Sequence, residues 1–91
     1  MEIYTITTTG DNGTRCVGYF KDLDMAIRCV EDNAYDIAEC GYYKYAIIEQ
    51  AREGIYQYDL EPLFFEFDRN NNIYKRIETP EKFKGYCGFW H

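Results

Sequence analysis

The chain has 91 residues, of which 46% are hydrophobic and 19% aromatic with ten tyrosines, and its formal net charge is −6 at pH 7. This length and hydrophobic content predict one globular domain over residues 1–91 and argue against a disordered chain. The acidic balance argues against a protein that binds nucleic acid or an anionic membrane directly, because both partners are themselves negative.

The first predicted unit is a β-hairpin. Residues 2–9 are rich in β-branched side chains and tyrosine, and residues 14–20 form a matching partner strand. Between them, Gly10-Asp11-Asn12-Gly13 supplies residues that tolerate positive φ, as a tight turn requires. A phosphate-binding loop is not predicted here, because such a loop needs a helix directly after the glycines and a strand follows instead.

One amphipathic helix is predicted over residues 22–41. Asp22 is a candidate N-cap, Asp24 lies in the first turn and Gly41 stands where a C′ glycine would end the helix. Plotted at 100° per residue, the apolar side chains fall within a sector of about 120°. They are Leu23, Ala26, Ile27, Val30, Ala34, Ile37 and Ala38. The opposite side carries Met25, Arg28, Asp32, Tyr35, Asp36 and Glu39.

The sequence after the predicted helix is expected to form mainly strands. The apolar run at 42–49 predicts a central strand with both faces partly covered. Shorter strands are predicted at 55–58, 63–68 and 73–77, with a turn at 68–72. We expect the aromatic tail, residues 81–91, to pack over the sheet.

These elements predict an α+β fold with two layers, in the order β-β-α-β-β-β. Short connections favour a mainly antiparallel sheet of five or six strands, and one amphipathic helix must bury its apolar stripe on one face of that sheet. The other face would be open, covered by the tail, or covered by a second copy of the chain. An open aromatic face on so small a domain favours a homodimer.

The cysteines are expected to be free. The sequence shows neither a basic leader nor an apolar run long enough to cross a membrane, so we expect a cytoplasmic protein. In a reducing compartment, cysteines usually remain thiols. They contain no C-x-x-C pair, so neither a metal site nor a cofactor is predicted for Cys16, Cys29, Cys40 and Cys87. In a continuous helix, Cys29 and Cys40 would lie roughly 16 Å apart, too far for a disulfide.

Several segments resemble small uncharacterised proteins of gut Firmicutes and their mobile elements. The segments are TTTGDNGTR, GYFKDLDMAI, DIAEC and YKYAIIE with the Gly-Ile-Tyr turn that follows. The likeness covers residues 3–58 and carries no known activity. It implies a bacterial or phage origin, and hence the cytoplasm of a bacterial host, where short acidic proteins often inhibit or regulate larger machines.

No enzyme is predicted. The single histidine, His91, is the last residue of the sequence, and a dyad with Cys87 would lack a third group to orient it. Asp32 and Asp36 lie one helical turn apart, but on an exposed face they would stay solvated rather than converge in a cleft. We therefore predict no catalytic residue.

The predicted partner-binding site is the acidic face of the helix. It comprises Asp24, Asp32, Tyr35, Asp36 and Glu39. Carboxylates along one rigid face imitate a row of phosphates and complement a basic nucleic-acid-binding surface on a host protein, while a tyrosine supplies a buried anchor. This predicts a non-enzymatic acidic binding protein, an anti-CRISPR-like inhibitor from a phage or mobile element.

Two alternatives stay open. One is that the acidic face is only a solvated surface that keeps the protein soluble. The other is a small-ligand or nucleotide-binding, sponge-like protein that uses tyrosines on the open face of the sheet or at the seam of a dimer.

Overall fold

A computed structural model of the protein describes residues 2–11, 13–52 and 62–78. The described part contains one α-helix, one short 3₁₀ helix and five strands. They are β1 (Glu2–Gly10), β2 (Gly13–Phe20), α1 (Leu23–Glu31), the 3₁₀ helix (Ala34–Asp36), β3 (Tyr45–Arg52), β4 (Leu63–Asp68) and β5 (Ile73–Ile77). The strands form one antiparallel sheet in the order β2-β1-β3-β4-β5. The predicted α+β class and element order are confirmed, whereas the predicted strand 55–58 and the tail 81–91 lie outside the described residues.

The β1–β2 hairpin forms as predicted. Gly10 pairs with Gly13, so two residues connect the strands, and β2 carries a bulge where the register shifts between Ile6 and Thr7. Gly10 is needed because a Cβ at this position would lie 2.5 Å from the carbonyl oxygen of Tyr42. The hairpin end therefore packs directly against the backbone that leads into β3.

The central position of β3 is also confirmed. β3 lies between β1 and β4, and Ala46, Ile47 and Ile48 are all buried, so both faces of the strand are covered. The strand begins at Tyr45 rather than at residue 42. The backbone N–H of Tyr43 donates to the carbonyl of Ala38 at 3.1 Å, which keeps this stretch in a turn and out of the sheet.

The predicted helix over 22–41 is wrong in its second half. It begins as expected, with the Asp22 carboxylate accepting from the backbone N–H of Asp24 at 2.8 Å. However, α1 ends at Glu31, and Asn33 takes a left-handed conformation with φ 47°. The remainder, residues 32–42, is called the turn segment below. Its other non-glycine residues with positive φ are Tyr35, Asp36, Glu39 and Cys40.

Four of the seven residues of the predicted apolar stripe are nevertheless buried, and Leu23, Ile27 and Ala34 are partly buried. Ala26 and Val30 from α1, and Ile37 and Ala38 from the turn segment, are all buried against the sheet. On the sheet, this core continues through Ile6, Ala46, Ile48, Leu63, Phe65 and Tyr74. The helical period therefore identified the inward side chains even where the backbone is not helical.

The second face of the sheet is buried at its centre within a single chain. Thr5 pairs with Glu49, Thr7 with Ile47, and Ile47 with Phe64, so these residues share the face opposite to Ile6 and Ile48. All five are at most 3% exposed. The homodimer was expected because this face would be open. Its burial removes that reason, and the homodimer stays a prediction.

None of the helices that the structure describes combines the length and apolar character needed to cross a membrane.

Candidate binding surface around Tyr35

Asn33 organises the turn segment. Its side chain is buried at 5% exposure, and its carboxamide oxygen accepts from the backbone N–H of Ala38 at 3.0 Å. Its amide nitrogen donates to the carboxylate of Asp36 at 3.3 Å and to the carboxamide oxygen of Asn72 at 3.4 Å. Asparagine tolerates a left-handed backbone better than most residues. One residue therefore ends α1, shapes the turn and ties it to the β4–β5 connection.

The Asp36 carboxylate accepts hydrogen bonds from other residues of the turn segment. It accepts from the backbone N–H of Cys40 at 3.2 Å, from the Cys40 thiol at 3.6 Å, and from Asn33. These hydrogen bonds, above all the one from the Cys40 backbone, hold the pKa of Asp36 below its ordinary value. The same carboxylate raises the pKa of the Cys40 thiol, chiefly through its negative charge. Asp36 is thus a structural residue with its charge retained.

Glu39 reaches across to the hairpin. Its carboxylate lies 2.7 Å from the guanidinium of Arg15 on β2, and both side chains are about half exposed. The Arg15 guanidinium also lies 5.3 Å from the centre of the Tyr43 ring. Arg15 therefore partly balances the charge of Glu39, and no pattern in the sequence predicted this pair.

The predicted acidic face does not lie on one helix. Asp24 sits in the first turn of α1 and Asp32 caps its C-terminus. The two are eight residues apart, which places them roughly 12 Å apart along the helix axis. The structure groups Asp32, Asp36 and Glu39 with Tyr35 in the turn segment and leaves Asp24 at the far end. The expectation of one rigid row of carboxylates is wrong, because Asn33 breaks the helix.

Tyr35 is the most prominent side chain of this surface. It is 98% exposed, more than Tyr19, Tyr42 or Met25, the other large hydrophobic residues that stand out in the described ranges. Its φ of 57° is an uncommon conformation for a bulky residue. Such backbone strain often accompanies a functional site. The turn segment therefore presents an aromatic ring to solvent between Asp32 and Asp36.

A cavity of about 470 Å³ lies between β2, α1 and the turn segment, and Tyr35 is one of its lining residues. Its lining is mainly apolar and includes the thiols of Cys16 and Cys29, which are free like that of Cys40. Burial, and then the nearby Asp32 carboxylate, raise the pKa of the Cys29 thiol. Sequence reasoning missed this cavity, because the bulge in β2 and the end of α1 meet only in the folded chain.

No group of three or more His, Cys, Asp or Glu side chains suited to hold a metal ion occurs within 2–11, 13–52 and 62–78. Cys87 and His91 lie outside these ranges.

Comparisons of the chain with protein-family models, with curated proteins and with solved structures find no match. The resemblance to small proteins of gut Firmicutes stays a prediction.

Proposed function

We propose that the protein is a non-enzymatic, acidic binding protein that docks onto a basic protein surface through Tyr35 and the carboxylates beside it. The observation that carries this proposal is the nearly complete exposure of Tyr35 in a left-handed conformation. An exposed ring on a structured turn supplies contact area at low entropic cost, and tyrosine is enriched among the residues that dominate binding energy.

The charges around Tyr35 suit a basic partner. Asp32, Asp36 and Glu39 are all exposed, and the whole chain carries a net charge of −6. Carboxylates around a central anchor mainly raise the association rate and reject wrong partners, while the buried ring contributes most of the affinity. A nucleic-acid-binding groove on a host protein has the required lysines and arginines. In our proposal the protein acts in the bacterial cytoplasm as an inhibitor of such a host protein, of the anti-CRISPR-like kind.

The structure changes which residues are suitable for a test. Asp36 and Glu39 make internal contacts, so reversing their charge would disturb the turn segment as well as any interface. Asp32 is exposed, and only its backbone N–H takes part in the helix cap, through Arg28 and Val30. Tyr35→Ala and Asp32→Lys are therefore the informative variants.

The experiment begins with affinity capture from host lysate at low and raised salt, followed by purification of the captured protein and measurement of its Kd. We expect Tyr35→Ala and Asp32→Lys each to weaken binding at least tenfold. We also expect raised salt to weaken binding by the wild-type protein, because it screens the charges. Met25→Ala and Glu78→Lys are matched controls, since they remove an exposed apolar side chain and reverse one exposed charge elsewhere. Equal loss in the controls, or wild-type affinity in both test variants, would exclude this surface.

The alternative of a nucleotide-binding protein with a Tyr-rich sheet face has less support. The described centre of the second face carries Thr5, Thr7, Ile47, Glu49 and Phe64, and these residues are buried. We therefore favour the protein-docking function.

A further inference from the structure

We propose that the cavity between β2, α1 and the turn segment binds a small molecule with an apolar body and one carboxylate group. This inference does not rest on the protein-docking function proposed above. The cavity, about 470 Å³, falls within the range of about 300–1,000 Å³ typical of small-molecule sites. Such sites are usually apolar with a few placed polar groups, and this one follows that pattern.

The apolar part of the site is well defined. Ile6 and Ile37 are almost fully buried core residues, and Val17 and Phe20 from β2 are partly buried against the same core. Cys29 adds a neutral thiol, because its raised pKa keeps it protonated at neutral pH. A protonated, partly buried thiol behaves as a small apolar group. These walls favour a hydrocarbon or aromatic body.

The polar part is a single cation. Arg15 is the one charged residue among the described residues that line the cavity. A guanidinium has five N–H donors; Glu39 pairs with the Nη1 nitrogen of Arg15, and the guanidinium also lies 5.3 Å from the centre of the Tyr43 ring. The pair is half exposed, and such pairs are weak, so a ligand carboxylate can share Arg15 with Glu39 or replace it. Arginine is also the side chain best suited to grip a carboxylate with two parallel hydrogen bonds.

The surrounding charges limit the ligand to one anionic group. The Asp32 carboxylate acts electrostatically on Cys29 in the cavity wall, and the Glu39 carboxylate is already paired with Arg15. A nucleotide would bring several negative charges among these carboxylates. A monocarboxylate brings one, and Arg15 balances it. The geometry therefore favours an aliphatic or aromatic monocarboxylate over a phosphorylated ligand.

The free cysteines provide the direct test. Octanoate and naphthoate serve as probes, with octanamide and naphthamide as uncharged counterparts. Alkylation of individual cysteines is followed by peptide mass spectrometry over a range of probe concentrations. We expect the carboxylates to slow the alkylation of Cys29 at least threefold. Cys40 is exposed and lies outside the cavity lining, so its rate should not change.

Two variants at the cation then test the carboxylate preference, with Kd measured by NMR titration. Arg15→Gln should weaken the carboxylate probes at least fivefold and leave the amides unaffected. Glu39→Gln should strengthen the carboxylates, because it removes the competing anion. Arg28→Gln, at an exposed arginine of α1 outside the cavity, is the matched control and should change nothing.

Several results would overturn the proposal. They are equal affinity for carboxylates and amides, equal protection of Cys40 and Cys29, unchanged affinity in Arg15→Gln, stronger binding of a nucleoside triphosphate than of either carboxylate, and no binding of any probe. Backbone NMR spectra of each variant establish that the fold is retained. Tyr35 also lines the cavity, so the ligand titrations use variants that retain it. Loss of protein binding in Tyr35→Ala therefore leaves the Arg15 and Glu39 comparison unaffected, and the two proposals fail separately.

Discussion

Helix α1 and the turn segment follow each other directly, share one apolar periodicity and fold in different ways. α1 is a regular helix with a side-chain cap at Asp22 and with Ala26 and Val30 on the sheet. The turn segment buries Ile37 and Ala38 just as well, but much of its backbone is left-handed. The comparison shows that a period of 3.6 residues reports which side chains face the core, and not how the backbone brings them there.

The two regions also differ in what stabilises them. α1 depends on backbone hydrogen bonds and packing, as amphipathic helices generally do. The turn segment depends on side chains that bond to backbone, chiefly Asn33 to Ala38 and Asp36 to Cys40. Asparagine and aspartate compete with helical hydrogen bonding in this way. Substitutions of single polar side chains should therefore affect the turn segment more than α1.

The largest effect is expected for Asn33→Ala. It removes three side-chain hydrogen bonds, so that the buried N–H of Ala38 loses its acceptor, the Asn33 carboxamide oxygen. It also places alanine in a left-handed conformation. We expect a loss of about 2–4 kcal/mol in the free energy of unfolding, measured by urea denaturation. Asn33→Gly keeps the conformation and should lose less. Asn72→Ala removes only one of the three hydrogen bonds, although it too places alanine in a left-handed conformation, because Asn72 has φ 56°. A loss below that of Asn72→Ala would show that Asn33 does not organise the turn.

The next effect concerns the contact between the turn segment and the hairpin. Gly10→Ala would place a Cβ 2.5 Å from the carbonyl oxygen of Tyr42, so the backbone must shift. We expect a loss of about 1–3 kcal/mol, as for overpacking in a core. Gly13→Ala is the matched control, since a Cβ there meets nothing within 4 Å. Equal urea midpoints for the two variants would contradict this contact.

Tyr74 anchors the chain just after the turn segment. Its hydroxyl donates to the carbonyl of Tyr43 at 2.6 Å, and its side chain is 1% exposed. Tyr74→Phe should lower the free energy of unfolding by about 1 kcal/mol, because it leaves that carbonyl without its donor.

The same residue should produce a dependence on alkaline pH. Burial, with a smaller contribution from Asp36, raises the pKa of Tyr74. The folded protein therefore keeps this hydroxyl protonated where the unfolded chain ionises. Stability from this group is complete below about pH 10, the ordinary tyrosine pKa, and is lost as the pH rises further. Urea denaturation from pH 8 to pH 11 should show a steeper decline for the wild type than for Tyr74→Phe. Parallel curves would contradict the assignment.

The correct parts of the sequence-based prediction were those fixed by neighbouring residues. The hairpin follows from β-branched strands around Gly10 and Gly13, and the start of α1 follows from Asp22 before an apolar stripe. The central place of β3 follows from its continuous apolar run at 46–48. Each of these signals lies within a few residues of the structure that it produces.

The missed parts depend on contacts between distant residues. Asn33 ends α1 with the help of Asn72, which lies 39 residues further along the chain. Arg15 and Glu39 meet across 24 positions, and the cavity forms only where the β2 bulge faces Cys29. Contacts between residues so far apart in the sequence cannot be predicted from the periodicity of neighbouring residues. The residues of the predicted acidic face are all exposed, but they do not lie on one helix, and their role in binding stays a prediction.

The smallest effect should come from α1 itself. Asp22→Ala removes the cap on the Asp24 N–H, and we expect a loss of about 1 kcal/mol, with little loss in Asp22→Asn, which retains a capping oxygen. Urea denaturation in parallel with Asn33→Ala compares the two regions directly. If Asp22→Ala costs as much as Asn33→Ala, the helix depends on its polar side chains as strongly as the turn segment does. A clearly smaller cost means that packing on the sheet holds α1, while hydrogen bonds from Asn33 determine where Tyr35 is presented.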